Sequence, residues 1–188
     1  RKVFNEKNNF DLDLLKYSDL DEEKSKQLFK KYVELVCLEM SYYCNRACNY
    51  CPVATLERDD KKLEIPDSVL DSVINSLKEI NYDGRISLNL FNEPLASRNI
   101  YNNISKISEK LPKAILSLNS NGDYIRNIKW LEKLNKSGLK EILITMHPPR
   151  NKDWEREYCE NQFKRFAKKI DHNLNKSELE NLKFSFFV

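Results

Sequence analysis

The sequence predicts an α/β protein whose parallel strands form an open sheet or curl into part of a barrel. Short apolar segments alternate with amphipathic ones through most of the 188 residues, and chains with this alternation join parallel strands through helices in right-handed crossovers. The composition is 40% apolar, with nine Tyr, nine Phe and two Trp, which suffices for one sizeable core. We therefore expect one folded domain.

The N-terminal segment, residues 1–32, is predicted to be a helical extension outside this domain. It is polar and contains one amphipathic stretch, "DEEKSKQLFKKY", which Asp19 or Asp21 is placed to cap. The remaining residues, 33–188, are predicted to form the core.

Five apolar segments of the core are predicted to be strands. The first, "VELVCLEM", is expected to be a buried strand with Cys37 inside it. The others follow in chain order as "RISLNLF", "AILSLN", "EILITM" and "LKFSFFV".

The segments between these strands are predicted to be helices. The first, "IPDSVLDSVINSLKEI", has Pro66 suited to its first turn and shows one apolar face, made of Val69, Val73, Ile74 and Leu77. The later helices are "NIYNNISKISEKL", with Ile100, Ile104, Ile107 and Leu111 at helical spacing, "DYIRNIKWLEKLNKSG", which Gly138 ends from the C′ position, and one built on Trp154, Tyr158 and Phe166.

The charge balance and the cysteine count exclude several kinds of partner. Lys and Arg number 32 against 29 Asp and Glu, and a net charge of +3 is too balanced for a nucleic-acid-binding protein. No apolar run approaches the roughly 18 residues of a membrane span, and the N-terminal residues lack the apolar segment of a signal peptide. We expect a cytoplasmic protein with no membrane partner. In that reducing compartment, five cysteines favour metal ligation over disulfides.

Polar loops follow four of the predicted strands. They contain, in order, "SYYCNRACNYC", "FNEPL", "NSNG" and "HPPR". Ligands of parallel α/β folds bind at the carboxyl ends of the strands. The sequence therefore predicts one site, to which all four loops contribute.

The first of these loops holds three of the five cysteines, Cys44, Cys48 and Cys51. A structural zinc ion takes four ligands, but the chain has no second Cys-x-x-Cys pair and offers only His147 and His172 besides. Three thiolates on one short loop instead suit a four-iron cluster with one iron left open. The two other cysteines are expected to be ordinary residues of the core or surface.

The segment "CNRACNYC" resembles the Cys-x-x-x-Cys-x-aromatic-Cys motif of the radical S-adenosylmethionine (radical SAM) enzymes, with Tyr50 as the aromatic residue. The resemblance runs from about Val33 to Val188 and implies a partial (β/α) barrel of the radical SAM type. It also implies that the three cysteines hold a [4Fe-4S] cluster whose open iron binds SAM. A reductant such as flavodoxin or ferredoxin would then start cleavage of SAM to a 5′-deoxyadenosyl radical, which abstracts hydrogen from the substrate.

The resemblance also implies a set of SAM-binding residues. The segment "FNEPL" is similar to the family's Gly-Gly-Glu-Pro segment, which receives the SAM amino group, although Phe91 and Asn92 replace both glycines; Asn92 is expected to offer its side-chain acceptor instead. The segment "SLNSNG" resembles the third-strand ending that faces the SAM carboxylate and ribose, but Asn121-Gly122 alone equally fits a simple turn. The candidate set is Tyr50, Asn92, Glu93, Pro94, Ser120, Asn121, Thr145 for ribose and Arg150 for a carboxylate. His147 is expected either to contact substrate or to anchor its loop.

The reaction is the least constrained expectation. The family's barrel has six strands, so a chain that reaches Val188 on its fifth strand looks truncated. The Asn-Glu-Pro-Leu loop resembles the branch with cysteine-rich SPASM domains, which favours hydrogen abstraction from a peptide or a sugar-like small molecule. The alternatives are a tRNA-modifying radical SAM enzyme and a structural metal-binding or partner-binding module without catalysis.

Overall fold

The structure, a computed structural model, describes residues 21–52, 63–147, 155–170 and 183–187. Its helices and strands alternate as predicted. The elements are α1 (Glu22–Tyr32), β1 (Leu35–Cys37), α2 (Asp67–Glu79), β2 (Arg85–Ser87), α3 (Ile100–Lys110), β3 (Ile115–Ser120), α4 (Ile128–Lys136), β4 (Glu141–Thr145), α5 (Arg156–Lys169) and β5 (Lys183–Phe187).

The five strands form one parallel sheet in the order β1-β2-β3-β4-β5. Each strand therefore lies beside the one that precedes it in the chain, which is the winding of a (β/α) barrel rather than of a doubly wound sheet. The sheet is not closed among the described residues, because β1 pairs with β2 alone and β5 with β4 alone. The prediction of a partial barrel is confirmed.

The core lies between one face of the sheet and the helices. Alternate strand residues such as Ile86, Leu118 and Ile144 are buried there and pack against apolar residues of the helices. The opposite face carries Ser87, Ser117 and Asn119 together with an ion pair between Arg85 and Glu141. The inner face of the partial barrel therefore carries polar and charged side chains beside apolar ones such as Leu143.

The first strand is shorter and more exposed than predicted. Leu35 is 48% exposed and Cys37 is also exposed, whereas Val36 packs against the core. The expectation of a buried strand was wrong because β1 is an edge strand, and its two outer residues lie on the inner face of the open sheet. Cys159, in contrast, is buried on α5.

The helix boundaries also differ in detail. In α2, Pro66 is the N-cap rather than part of the first turn, and Val69 is 47% exposed. The buried residues are Leu70, Ile74 and Leu77, so the apolar face is rotated by about one residue. Of the two candidate caps of α1, Asp21 accepts from Lys24 N at 2.7 Å, while Asp19 lies outside the described residues.

The helix α4 begins later than predicted. Its first residue is Ile128, because Asn127 caps it by accepting from Lys129 N at 3.1 Å. Asp123 and Tyr124 thus stay in the loop after β3, where Asp123 becomes part of the site. In the last helix Phe166 is buried as expected, but Trp154 lies outside the described residues.

Gly138 ends α4 in the C′ position, as predicted. Its φ is +102°, its N–H donates to Asn135 O at 2.9 Å, and Leu139 N donates to Leu134 O at 3.2 Å. These two bonds are those of a Schellman motif. A Cβ at this position would also collide with the Ser108 side chain.

We expect Gly138→Ala to lower the free energy of unfolding by about 1–3 kcal/mol, because alanine is strained at this φ. Urea denaturation measures the effect. The control Lys136→Ala, at an exposed position of the same helix end, should stay within about 0.5 kcal/mol of the parent. Equal stabilities of the two variants would contradict this prediction.

No described helix has the length and apolarity that a membrane crossing requires.

Candidate functional site

The carboxyl ends of β2, β3 and β4 surround a cavity of about 220 Å³ that the cysteine loop, residues 44–51, closes on one side. Nine of the predicted site residues line it: Cys44, Cys48, Tyr50, Cys51, Asn92, Glu93, Ser120, Asn121 and Thr145. Pro94 is buried next to the cavity in a 3-10 turn, Pro94–Ala96. Arg150 lies outside the described residues. Folding thus brings together residues that are up to 101 positions apart in the sequence.

None of the three cysteines of this loop forms a disulfide with another described residue. A backbone bond from Cys51 N to Cys48 O, at 2.9 Å, makes a tight turn between two of them, and Glu93 N donates to Tyr43 O at 2.8 Å. The first bond closes a turn within the cysteine loop. The second joins the loop after β2 to Tyr43, the residue before Cys44.

Side chains within the cysteine loop also bind the loop after β3. Arg46 donates from Nε to Asp123 Oδ2 and from Nη2 to Asp123 Oδ1, both at 2.7 Å, and from Nη1 to His147 O at 3.3 Å. Asn45 Nδ2 donates to Asp123 Oδ2 at 2.8 Å. Burial tends to raise the pKa of Asp123, but the bonds and charge of Arg46 outweigh it and the pKa is lowered.

Glu93 is a buried carboxylate, 2% exposed, that links the loop after β2 to the end of β3. Its Oε1 accepts from Ser120 Oγ at 2.8 Å and from Leu95 N at 3.1 Å, and its Oε2 accepts from Asn121 N at 2.8 Å. Burial raises its pKa even though these hydrogen bonds act in the opposite direction. A carboxylate has about four lone-pair sites, so the three bonds leave one for a further donor.

Ser120 and Asn121 make most of their hydrogen bonds within the protein. Ser120 Oγ donates to Glu93 and accepts from Gly122 N at 3.0 Å. Asn121 Oδ1 accepts from Asp123 N at 2.9 Å, while its Nδ2 donates to Asn45 Oδ1 at 2.9 Å. Asn121-Gly122 therefore forms a turn, in which Gly122 has a φ of +74°. Ser120 and Asn121 also line the cavity.

Asn92 lines the cavity. Its Oδ1 accepts from Leu90 N at 3.3 Å, and because an amide oxygen has two lone pairs, its expected role as an acceptor for a ligand stays a prediction. Its buried Nδ2 has no hydrogen-bond partner among the described residues. A buried donor without a partner costs about 1–3 kcal/mol, so this residue is suited to donate to a ligand oxygen.

An aromatic pair lies at the rim of the cavity. The rings of Tyr50 and His147 are stacked, with centroids 5.8 Å apart, and the Tyr50 hydroxyl contacts His147 Nδ1. Burial, with the charge of Arg46, lowers the pKa of His147 to about 4, so the imidazole is neutral at pH 7. His147 thus packs against the aromatic residue of the cysteine loop, a contact that the sequence did not predict.

Sequence reasoning missed several residues that shape the site. Arg46 and Asp123 were not identified, and neither were Glu39, which accepts from Phe91 N at 2.5 Å, and Asn89, which accepts from Asn119 N at 2.7 Å. Arg46 could have been identified from the sequence, because it is a charged residue inside the cysteine motif. Asp123 was assigned to a helix, which concealed it.

The residues of the cavity fit an iron–sulfur cluster by their chemistry. Cysteine thiolates are the ligands of such clusters, and three cysteines that form no disulfide among the described residues line this one cavity. Among the described residues, no group of three Cys, His, Asp or Glu side chains is placed to hold a single metal ion. The fit to a cluster therefore depends on the three cysteine sulfurs and on the cavity that they share. Asn92 Nδ2 adds a hydrogen-bond donor without a partner among the described residues.

Known proteins resemble this chain in sequence and fold. The family model of the Radical SAM superfamily matches residues 38–177. The S-adenosyl-L-methionine-dependent 2-deoxy-scyllo-inosamine dehydrogenase of Niallia circulans is 27% identical over 117 residues, which are 62% of this chain and 46% of that protein.

Two solved structures share the fold. BtrN in complex with AdoMet and 2-DOIA superposes with a TM-score of 0.63 at 22% identity, over 81% of this chain and 56% of that one. Selenomethionine BtrN in an open conformation superposes with a TM-score of 0.57 at 20% identity, over 81% of this chain and 56% of that one. The chain thus spans about half the length of these relatives.

The family match covers most of the chain and includes the whole cysteine loop and the carboxyl ends of β2, β3 and β4. The same loops line the cavity, and the fold agrees with that of the solved structures. This chain therefore belongs to the radical SAM superfamily, whose enzymes combine an iron–sulfur cluster with SAM.

Proposed function

We propose that Cys44, Cys48 and Cys51 hold a [4Fe-4S] cluster and that the protein uses SAM to abstract hydrogen from a sugar-like small molecule or a peptide. The observation that carries the proposal is the placement of the three cysteines and the buried carboxylate of Glu93 on one cavity. When bound, the cluster and SAM supply a 5′-deoxyadenosyl radical.

The residues of the chain have separate tasks in this proposal. Glu93 accepts the SAM ammonium with its remaining lone-pair site, and the positive charge offsets the cost of burying the carboxylate. Asn92 Nδ2 donates to an oxygen of SAM, which gives this buried donor a partner. Ser120 and Asn121 hold Glu93 in place, while Tyr50 and Thr145 contact the nucleoside.

The curated relative supports a sugar-like substrate over a peptide, because its name assigns it a dehydrogenase activity on 2-deoxy-scyllo-inosamine. The net charge of +3 gives no support to a tRNA substrate. We further propose a cytoplasmic location, where thiols stay reduced, and a flavodoxin or ferredoxin as the electron donor.

The test uses the full-length protein, reconstituted anaerobically with iron and sulfide and then reduced. Addition of SAM should alter the EPR spectrum of the reduced cluster. With 2-deoxy-scyllo-inosamine deuterated on its ring carbons, deuterium should appear in 5′-deoxyadenosine; transfer from a deuterated peptide instead would favour the peptide branch. An EPR spectrum unchanged by SAM, or turnover without deuterium transfer, would refute hydrogen abstraction by this route.

A further inference from the structure

We propose that Arg46 and Asp123 are positioning residues for the cluster, and that their ion pair holds the cysteine loop against the sheet and balances charge beside the cysteines. Together with Asn45 we call them the loop latch. This inference rests on the proposed function, because it assumes that the cysteines of the loop hold the cluster.

The geometry of the loop latch is that of a strong, directional contact. Two parallel N–H···O bonds of 2.7 Å join the guanidinium to both carboxylate oxygens, which is the bidentate form of the Arg–carboxylate pair. The third bond, from Arg46 Nη1 to His147 O, reaches the residues after β4. One side chain of the cysteine loop thus binds the loops after two different strands.

Asp123 is itself fixed to the core. Its backbone N–H donates to Asn121 Oδ1, and Asn121 N donates to the buried Glu93. The preceding Gly122 has a positive φ, and a Cβ there would approach Ile144 and Phe166 to 3.0 and 3.1 Å. The latch therefore connects the cysteine loop to residues that hydrogen bonds join to the buried Glu93.

The latch also determines the charge near the cysteines. Arg46 lies between Cys44 and Cys48 in the sequence and lines the same cavity as both cysteines, so its positive charge lies near the position proposed for the cluster. Asp123 balances this charge while the pair is intact. Removal of Asp123 leaves the positive charge of Arg46 uncompensated beside the cluster, and removal of Arg46 leaves the negative charge of Asp123. Net charge near a cluster changes its reduction potential.

The two single variants therefore have effects that a merely structural role would not produce. Asp123→Asn leaves the Arg46 charge uncompensated, which should raise the reduction potential. Arg46→Gln leaves the Asp123 charge, which should lower it. Both variants loosen the loop, so iron should be released about 10–100 times faster, as for other residues that orient metal ligands.

The experiment reconstitutes the full-length parent and both variants anaerobically, and it measures iron release to a chelator and the midpoint potential by EPR titration. Glu141→Gln is the matched control. It breaks the ion pair with Arg85, which is about as exposed as the Arg46–Asp123 pair and lies at the amino ends of β2 and β4. Circular dichroism of the apo proteins verifies that each variant is folded.

The expected result is faster iron release from both latch variants, with potentials that shift in opposite directions, and parent-like values for Glu141→Gln. Parent-like release from both variants, or potentials that shift in the same direction, would overturn the inference. If the parent takes up no iron, the proposed function itself fails, and the inference fails with it.

Discussion

Replacement of any one of Cys44, Cys48 or Cys51 by alanine is expected to abolish the cluster. The three thiols line one cavity, and alanine offers iron no ligand, so two thiolates remain where three are needed. The iron content should fall from roughly four atoms per chain to near zero. Iron analysis and the broad charge-transfer absorption after anaerobic reconstitution measure the loss.

Cys37→Ala is the matched control for these variants. Cys37 is an exposed free thiol on β1 and is not part of the cavity wall, so its removal should leave iron content and absorption unchanged. Stoichiometric zinc in the parent without iron uptake would contradict the cluster assignment. Retention of parent-like iron by one of the three alanine variants would exclude that cysteine as a ligand.

Glu93→Ala is expected to destabilise the fold strongly. The substitution leaves three donors without their acceptor, namely Ser120 Oγ, Leu95 N and Asn121 N. An unsatisfied buried donor costs about 1–3 kcal/mol, so the free energy of unfolding should fall by at least about 3 kcal/mol. That is a large part of the 5–15 kcal/mol typical of a domain, and urea denaturation of the apo protein measures it.

Glu93→Gln tests ligand binding with a smaller loss of stability than Glu93→Ala. It keeps the shape and one acceptor oxygen, but its NH2 group faces one of the three donors and the negative charge is lost, so affinity for the SAM ammonium should fall about 10- to 100-fold. Anaerobic calorimetry with SAM on the reconstituted full-length protein gives the dissociation constant.

Glu64→Gln provides the comparison for Glu93→Gln. Glu64 also accepts from a serine hydroxyl and a backbone N–H, those of Ser97 at 2.5 Å and Arg98 at 3.0 Å, but it is absent from the cavity wall. The Glu64→Gln variant should lose some stability and keep its affinity for SAM. Equal losses of affinity in both variants would show that Glu93 acts only through the fold.

The fold was largely predictable from the sequence because burial of one helix face and one sheet face leaves periodic patterns. The spacing of Ile100, Ile104 and Ile107 identified α3, and these residues are buried. Prediction failed where local pattern and position in the sheet disagree. The apolar segment around Cys37 suggested a buried strand, but β1 lies at the edge of the sheet among the described residues.

The winding of the sheet explains why the site was predictable in outline. Parallel strands that follow one another in order bring their carboxyl ends to one rim, so the loops after them had to meet. The directions of hydrogen bonds were not predictable in the same way. Asn92 was expected to offer an acceptor, but its side chain also holds a buried donor, Nδ2, that has no hydrogen-bond partner among the described residues.

By itself, the sequence determined the chemistry available at the site, because the cysteine spacing and the loop composition are local properties of the chain. Only the tertiary structure decided which side chains are already bonded within the protein and which are left for a ligand. Arg46 and Asp123 are 77 residues apart, and no local pattern relates them. Their contact exists because β3 brings its loop beside the cysteine loop, where the guanidinium and the carboxylate form a bidentate, partly exposed pair.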